Sequence, residues 1–263
     1  MIKHSFSTLG CPYWSFEKSV RYAKELGYDA IAIRFLDGKR YLPDFEAFSP
    51  ENIEASRKLL EETGITLAGL NGSCCFHSED ARKNAYKEGE ASILIAEQLG
   101  TPYLRICGDF VNAEWGEEKS YDFIAEGIKP LLDFGAKHGV LPLLETHGDF
   151  SRIDRAMALL SRLEGYPIGV VWHMGHTHDV AETYALLKPW LRDMHIVDYT
   201  LNEAGEHEYC PTGQGILPIR QLLDTLRADG YAGYLTLEWE KYWLPSIAEP
   251  EVAFPIHIQF VRS

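Results

Sequence analysis

Four residues able to hold a divalent cation, Glu145, His173, His195 and Glu238, stand at or beside the ends of four consecutive short apolar runs, 140–144, 168–171, 194–197 and 234–237. Two imidazoles and two carboxylates suit Mn²⁺, Fe²⁺, Co²⁺ or Zn²⁺, whereas Mg²⁺ prefers an all-oxygen shell. One such residue alone at a strand end reads as a hydrogen-bonded cap. Four in successive units read as one metal site, provided that the runs are neighbouring strands whose ends converge. Other groups stand near the same ends. Arg105 points from an earlier run, 103–106, toward a substrate oxygen or a ligand carboxylate. His147 lies two residues past Glu145, where a continuing strand would send it to the same side, and it reads as a supporting or substrate-holding group. Glu240 repeats the alternation of Glu238 but falls past the strand end, in a loop or at the rim. Asp198 orients His195 or a neighbouring loop, and Trp172, Trp239 and Trp243 either wall the site or pack.

The elements that must position these residues are marked by a recurring phrase: a helical run, a glycine, then an apolar run. The glycines are Gly27, Gly64, Gly100, Gly139, Gly165 and Gly230, at intervals of 37, 36, 39, 26 and 65 residues, the last being two units with a boundary near Trp190-Leu191. A glycine just past a helix is its usual stop, since it takes the left-handed conformation without a Cβ penalty. Ser15 caps a helix whose Val20, Ala23 and Leu26 form one stripe. Ser49-Pro50 reads as a cap and first helical residue leading to Gly64. Ile153, Ala156, Leu160 and Leu163 make another stripe. The apolar runs, typical of strands buried on both faces, are 30–33, 66–70, 103–106, 140–144, 168–171, 194–197 and 234–237, with 3–9 before them. Eight strand-helix units in 263 residues predict an α/β chain folded as a single (β/α)₈ TIM barrel, one domain over 1–263, with its site at the C-terminal ends of the strands. No Gly-x-Gly-x-x-Gly follows the first run to favour an open doubly wound sheet.

Composition narrows the partners. The chain has 25 Lys+Arg against 39 Asp+Glu, a formal charge of −14, which opposes a nucleic-acid or anionic-membrane surface. No apolar stretch approaches a membrane span and no secretory signal is visible. Five scattered cysteines outside any paired metal spacing fit a reducing, cytoplasmic setting. Cys74-Cys75 reads as two small residues at a strand end, and Gly213-Gln214-Gly215 as a rim loop. A small molecule is the expected partner, with a homo-oligomer compatible.

The residues around these positions resemble the xylose isomerase-like barrels of the sugar (phosphate) isomerase/epimerase type over nearly the whole chain. The likeness is strongest in Leu144-Glu145-Thr146-His147, Met194-His195-Ile196-Val197-Asp198, Gly213-Gln214-Gly215 and 233–241, and extends to Thr8-Leu9-Gly10-Cys11-Pro12 and Gly27-Tyr28-Asp29. The resemblance implies that Glu145, His173, His195 and Glu238 hold a divalent metal. It also implies that Glu145 and Glu238 move the proton of a ketose through an enediolate, and that His176 binds substrate hydroxyls. Where that family has Asp in an Asp-x-x-His phrase, this chain has His173-Met174-Gly175-His176, which removes one negative charge and favours a softer metal than Mg²⁺. Ala32 and Val197 replace the family's usual Glu and Lys. The expected function is therefore a metal-dependent isomerase or epimerase of a small sugar, sugar phosphate or related polyhydroxy carbonyl compound. A lyase or dehydratase on the same metal site, or a non-catalytic or partner-dependent barrel, is the alternative. A DNA-cutting metal site on this fold is disfavoured by the charge.

Overall fold

All six glycines of the repeat have positive φ, between +68° and +86°. Gly27 shows why: it ends a helix whose last turn it closes by donating to the Ala23 and Lys24 carbonyls, at φ +80°, which a Cβ would strain. The computed structural model describes residues 1–175 and 179–263 and, of His176, the backbone only. Strands β1 (Lys3–Ser7), β2 (Ala30–Ile33), β3 (Thr66–Cys75), β4 (Tyr103–Cys107), β5 (Leu141–Glu145), β6 (Gly169–His173) and β7 (Leu191–Ile196) come first. A short antiparallel hairpin, β8 (Tyr199–Leu201) and β9 (His207–Tyr209), leads to β10 (Tyr234–Leu237). The parallel strands close in the order β1-β10-β7-β6-β5-β4-β3-β2, a TIM barrel as expected. Around it run α1 (Phe16–Leu26), α2 (Ile53–Thr63), α3 (Glu79–Leu99), α4 (Gly116–Lys137), α5 (Ile153–Ser161), α6 (Val180–Leu187), α7 (Ile219–Ala228) and α8 (Pro250–Arg262).

Strand alternation sorts the side chains into two layers. Ile31, Ile33, Leu104, Ile106, Met194, Ile196, Leu235 and Leu237 face the helices in one large apolar cluster. Inside the barrel, Ala30, Ala32, Ala68, Tyr234 and Tyr103 form a small lower plug. The same inward parity carries Arg105, Glu145, His173, Asp193, His195, Thr236 and Glu238 above that plug. Register fixes their neighbours: His173 pairs with His195, His195 with Thr236, and Cys107 with Glu145.

Several boundaries move from expectation: β1 ends at Ser7 and not at residue 9, β3 runs on to Cys75 and not only to residue 70, and two starts shift. Helix α2 begins at Ile53, not after Ser49: the Asn52 and Ile53 amides both close on the Ser49 carbonyl, forming a turn ahead of the helix. The Ser49 hydroxyl is buried without a hydrogen-bond partner among the described residues, so it caps nothing. Strand β7 starts at Leu191, because the register slips between Val170 and Val171 of β6 and lets Leu191 pair early.

Behind the barrel, His257 of α8 is fully buried, with Nδ1 2.8 Å from Thr212 Oγ1 and its ring stacked on Tyr28. Burial lowers its pKa to about 3 and that of His4 to about 4, against an ordinary 6.5. Both histidines stay neutral in the fold where the unfolded chain would protonate them. Between about pH 4 and 6.5 the unfolded state therefore binds more protons, and stability rises with pH. In His257→Gln, the slope of unfolding free energy against pH in that window is expected to fall by about one proton. Urea denaturation at several pH values reads this slope, and an unchanged one would contradict the assignment.

Candidate active site

The ends of β5, β7 and β10 bring Glu145, His195 and Glu238 to one point, with ligand atoms within 4.8 Å of one another and all three residues buried. His195 Nδ1 lies 2.7 Å from Glu145 Oε1 and 3.1 Å from Glu238 Oε2. From β6, His173 Nε2 comes within 3.3 Å of Glu238 Oε2 and forms a second group with Glu238 and Glu240. All four residues that the sequence singled out as ligands are thus assembled, with Glu238 shared between the groups. Despite these contacts, Glu145 Oε1 and both ring nitrogens of His195 are buried and, among the described residues, without a hydrogen-bond partner. A buried carboxylate oxygen without a protein hydrogen bond, set among a second carboxylate and two imidazoles, suits a cation, and that donor set fits one.

The electrostatics hold this cluster charged. Arg105 donates from Nε to Glu145 Oε2 at 2.7 Å, again from Nη2 to the same oxygen, and from Nη1 to the Gly72 carbonyl at 3.0 Å. Arg105 is thus bonded to the carboxylate of Glu145. Burial pushes the Glu145 pKa up, but Arg105 and His195 outweigh it and hold the carboxyl well below its usual range. Burial opposes the Glu238 carboxylate too, yet His195 and His173 keep it ionised. Burial disfavours charge on His195, while Glu238 and Glu145 raise its pKa well above the ordinary value. Beneath it, Asp193 accepts from Thr236 Oγ1 at 2.8 Å and is raised by burial to about 6.

The cluster opens into a cavity of about 380 Å³ that His147, Asp109, Cys75, Cys107, Arg34, Arg40, Tyr209, Glu240 and Trp243 also line. His147 Nδ1 meets Asp109 Oδ1 at 3.2 Å, which raises the His147 pKa and, against burial, lowers that of Asp109. Asp109 escaped the sequence reading because its place depends on a left-handed backbone, φ +70°, that no pattern around it signals. Glu240 lies past the end of β10, as expected, but is half-buried beside Glu238, and burial with the Glu238 charge raises its pKa to about 8. Its alternation with Glu238 was the available signal. Cys75 and Cys107 pair across β3 and β4 with free sulfurs 2.6 Å apart. Trp172 and Trp239 are core residues, and Trp243 alone of the three reaches the cavity. Asp198 serves the loop: it accepts from the amides of Tyr199, Gly213, Gly215 and Leu217. The His176 side chain and His178 lie outside the described residues.

Comparison with known proteins agrees with the architecture. A family model described as Xylose isomerase-like TIM barrel matches residues 20–263. The 3-dehydro-D-guloside 4-epimerase of Escherichia coli (strain K12) is 26% identical over 247 residues, covering 83% of this chain and 84% of that protein. Among solved structures, the probable 3-DHS dehydratase AsbF from Bacillus anthracis superposes with a TM-score of 0.82 at 15% identity, over 100% of this chain and 99% of the other. The IOLI protein with a binding zinc atom gives a TM-score of 0.79 at 17% identity, over 99% and 97%. At such identities the two structures establish the fold.

Without its guanidinium partner, Glu145 would face Glu238 in a buried setting with one counter-ion fewer. In chelator-treated protein, Arg105→Met is expected to cost about 3 kcal/mol of unfolding free energy at neutral pH, as for a buried pair broken on one side. Adding Glu145→Gln should return much of that loss. A double-mutant cycle by chemical denaturation measures the coupling, and a coupling near zero would show that the pair does not hold the site.

Proposed function

This chain belongs to the xylose isomerase-like TIM barrel family, and we propose that it is an isomerase or epimerase of a small sugar or related polyhydroxy carbonyl compound, dependent on a divalent cation held by Glu145, His173, His195 and Glu238. The observation that carries this reading is the convergence of Glu145, His195 and Glu238 on one buried point, with Glu145 Oε1 and both His195 nitrogens otherwise unsatisfied. The epimerase among its relatives supports the same chemistry. When bound, the cation would draw electrons from a ketose carbonyl and so acidify the neighbouring C–H. The chain's own carboxylates do the rest. One of Glu145 and Glu238 removes that proton from one face of the sugar, and the other returns a proton to the opposite face, which inverts the carbon. Return of the proton to the adjacent carbon isomerises instead.

Arg105 bears on this through Glu145: it occupies Oε2 and leaves Oε1 facing the cluster. His147, tethered through Nδ1 to Asp109, has Nε2 left to hold a substrate hydroxyl, the role also assigned to His176 by family resemblance. Two imidazoles favour Mn²⁺, Zn²⁺, Co²⁺ or Fe²⁺ over Mg²⁺. The reading takes residues 1–263 as one catalytic domain working in the cytoplasm.

Two measurements test it. In D₂O, wild-type protein reconstituted with Mn²⁺ should place deuterium beside the carbonyl of at least one ketose in a panel. Glu145→Gln and Glu238→Gln should each slow that exchange by about 10² or more. Exchange that survives both substitutions removes the carboxylates from proton transfer, and a dehydrated product would move the reading to the lyase class. Elemental analysis of purified protein should find a transition metal, with chelation abolishing exchange. In His173→Asp the preference should shift toward Mg²⁺, and an unchanged preference would count against His173 as a ligand.

A further inference from the structure

The buried guanidinium of Arg34 lines the cavity without an ion-pair partner among the described residues. Arg34 follows β2 on the inward parity of Ala30 and Ala32, and its amide is fixed by a 2.8 Å bond to Thr8 Oγ1. Nη1 donates to the Asn71 carbonyl at 3.2 Å and to Ser73 Oγ at 3.1 Å, both neutral oxygens. They are available because the β3–β4 register breaks between Leu70 and Cys74. Among the described residues, Nε and Nη2 make no hydrogen bond and no carboxylate lies within ion-pair distance of the guanidinium.

The other charged groups of the cavity face one another. Arg105 is held by Glu145, Asp109 by His147, and Glu238 by His173 and His195, with Glu240 grouped beside them. Glu88, the nearby carboxylate whose field favours Arg34, spends Oε1 on the Ser73 amide at 3.0 Å. Arg40 lines the same cavity from an exposed position and is likewise without an ion pair among the described residues. Burial and the charge of Arg105 lower the Arg34 pKa to about 10, so it remains a cation at neutral pH in a setting that disfavours one. A guanidinium with one edge anchored and the other open is built to receive two oxygens of one anion.

We propose that the substrate carries an oxyanion, a carboxylate or a phosphate ester, which docks on the open edge of Arg34 with Arg40 at the rim. The inference rests on the reading that this cavity takes a small sugar, and it sets the sugar's direction: anionic end toward β2, carbonyl end toward Glu145 and Glu238.

The test is calorimetric binding of D-fructose, D-glucuronate and D-fructose 6-phosphate to the Mn²⁺-loaded protein, in wild type, Arg34→Met, Arg34→Lys and Arg40→Met. At least one anionic sugar should bind about tenfold or more tightly than D-fructose, and which one names the oxyanion. Arg34→Met should collapse that ratio to about one, while Arg34→Lys keeps part of it because charge without the fork suffices only partly. Arg40→Met, an exposed change, should lower the ratio by a smaller factor and keeps the test decisive if an Arg34 variant fails to fold. Equal affinity for the three sugars in wild type overturns the proposal. So does an anion preference that Arg34→Met leaves intact, as when the metal itself holds the anion. Anion preference that depends on Arg34, without deuterium exchange into any ketose, would sink the isomerase reading and leave this one standing.

Discussion

Two carboxylates crowd one imidazole at the centre of the barrel mouth, and the surrounding structure is arranged to make that tolerable. Glu145 and Glu238 both reach His195 Nδ1, at 2.7 and 3.1 Å, in a buried setting. Like charges so close would ordinarily drive one group to take up a proton. Arg105 from the adjacent strand prevents this on the Glu145 side, and the imidazoles of His195 and His173 do so on the Glu238 side. Arg105 is therefore committed as a counter-ion, and Asp193, tied to Thr236, forms the floor on which His195 stands. On the proposed reading, a divalent cation is the partner that Glu145 Oε1 and the His195 nitrogens lack among the described residues.

The barrel was legible because its punctuation is local. Each repeat glycine needs only its own helix end, so the spacing survives in the sequence whatever the tertiary context. The four candidate ligand positions were legible for a related reason: each lies at or beside a strand end, and closure of the barrel brings four consecutive ends together. What stayed hidden depends on neighbours that are distant in sequence. The start of α2 turns on which residue's carbonyl closes the first turn, a choice that Ser49-Pro50 does not encode. Asp109 reaches His147 only through a left-handed residue, and whether Arg105 met a carboxylate or a substrate depended on the side chains of β5. Glu240 was visible as an alternation, but its burial depends on how the chain leaves β10.

The cavity is polar in a divided way. Its anionic groups come from the ends of β5 and β10 and from the segments beyond β4 and β10, whereas its spare cations sit at and beyond the end of β2. The barrel's order places β10 and β2 on either side of β1, so Glu238 and Glu240 stand a short arc from Arg34, with Glu145 across the barrel. The inward residues of β2, Ala30 and Ala32, are small, and the first large inward group on that strand's path is a guanidinium.

Asp198 has a consequence for how a ligand meets this mouth. Its single carboxylate gathers the amides of Tyr199, Gly213, Gly215 and Leu217, and its carbonyl accepts from Cys210, next to the cavity residue Tyr209. A methyl group at Gly215 would lie 2.1 Å from Asp198 Oδ1, so the turn is shaped around the carboxylate. One carboxylate thus ties the start of the hairpin to the 213–217 turn, so the wall that carries Tyr209 is braced from within the chain and needs no ligand to hold it together.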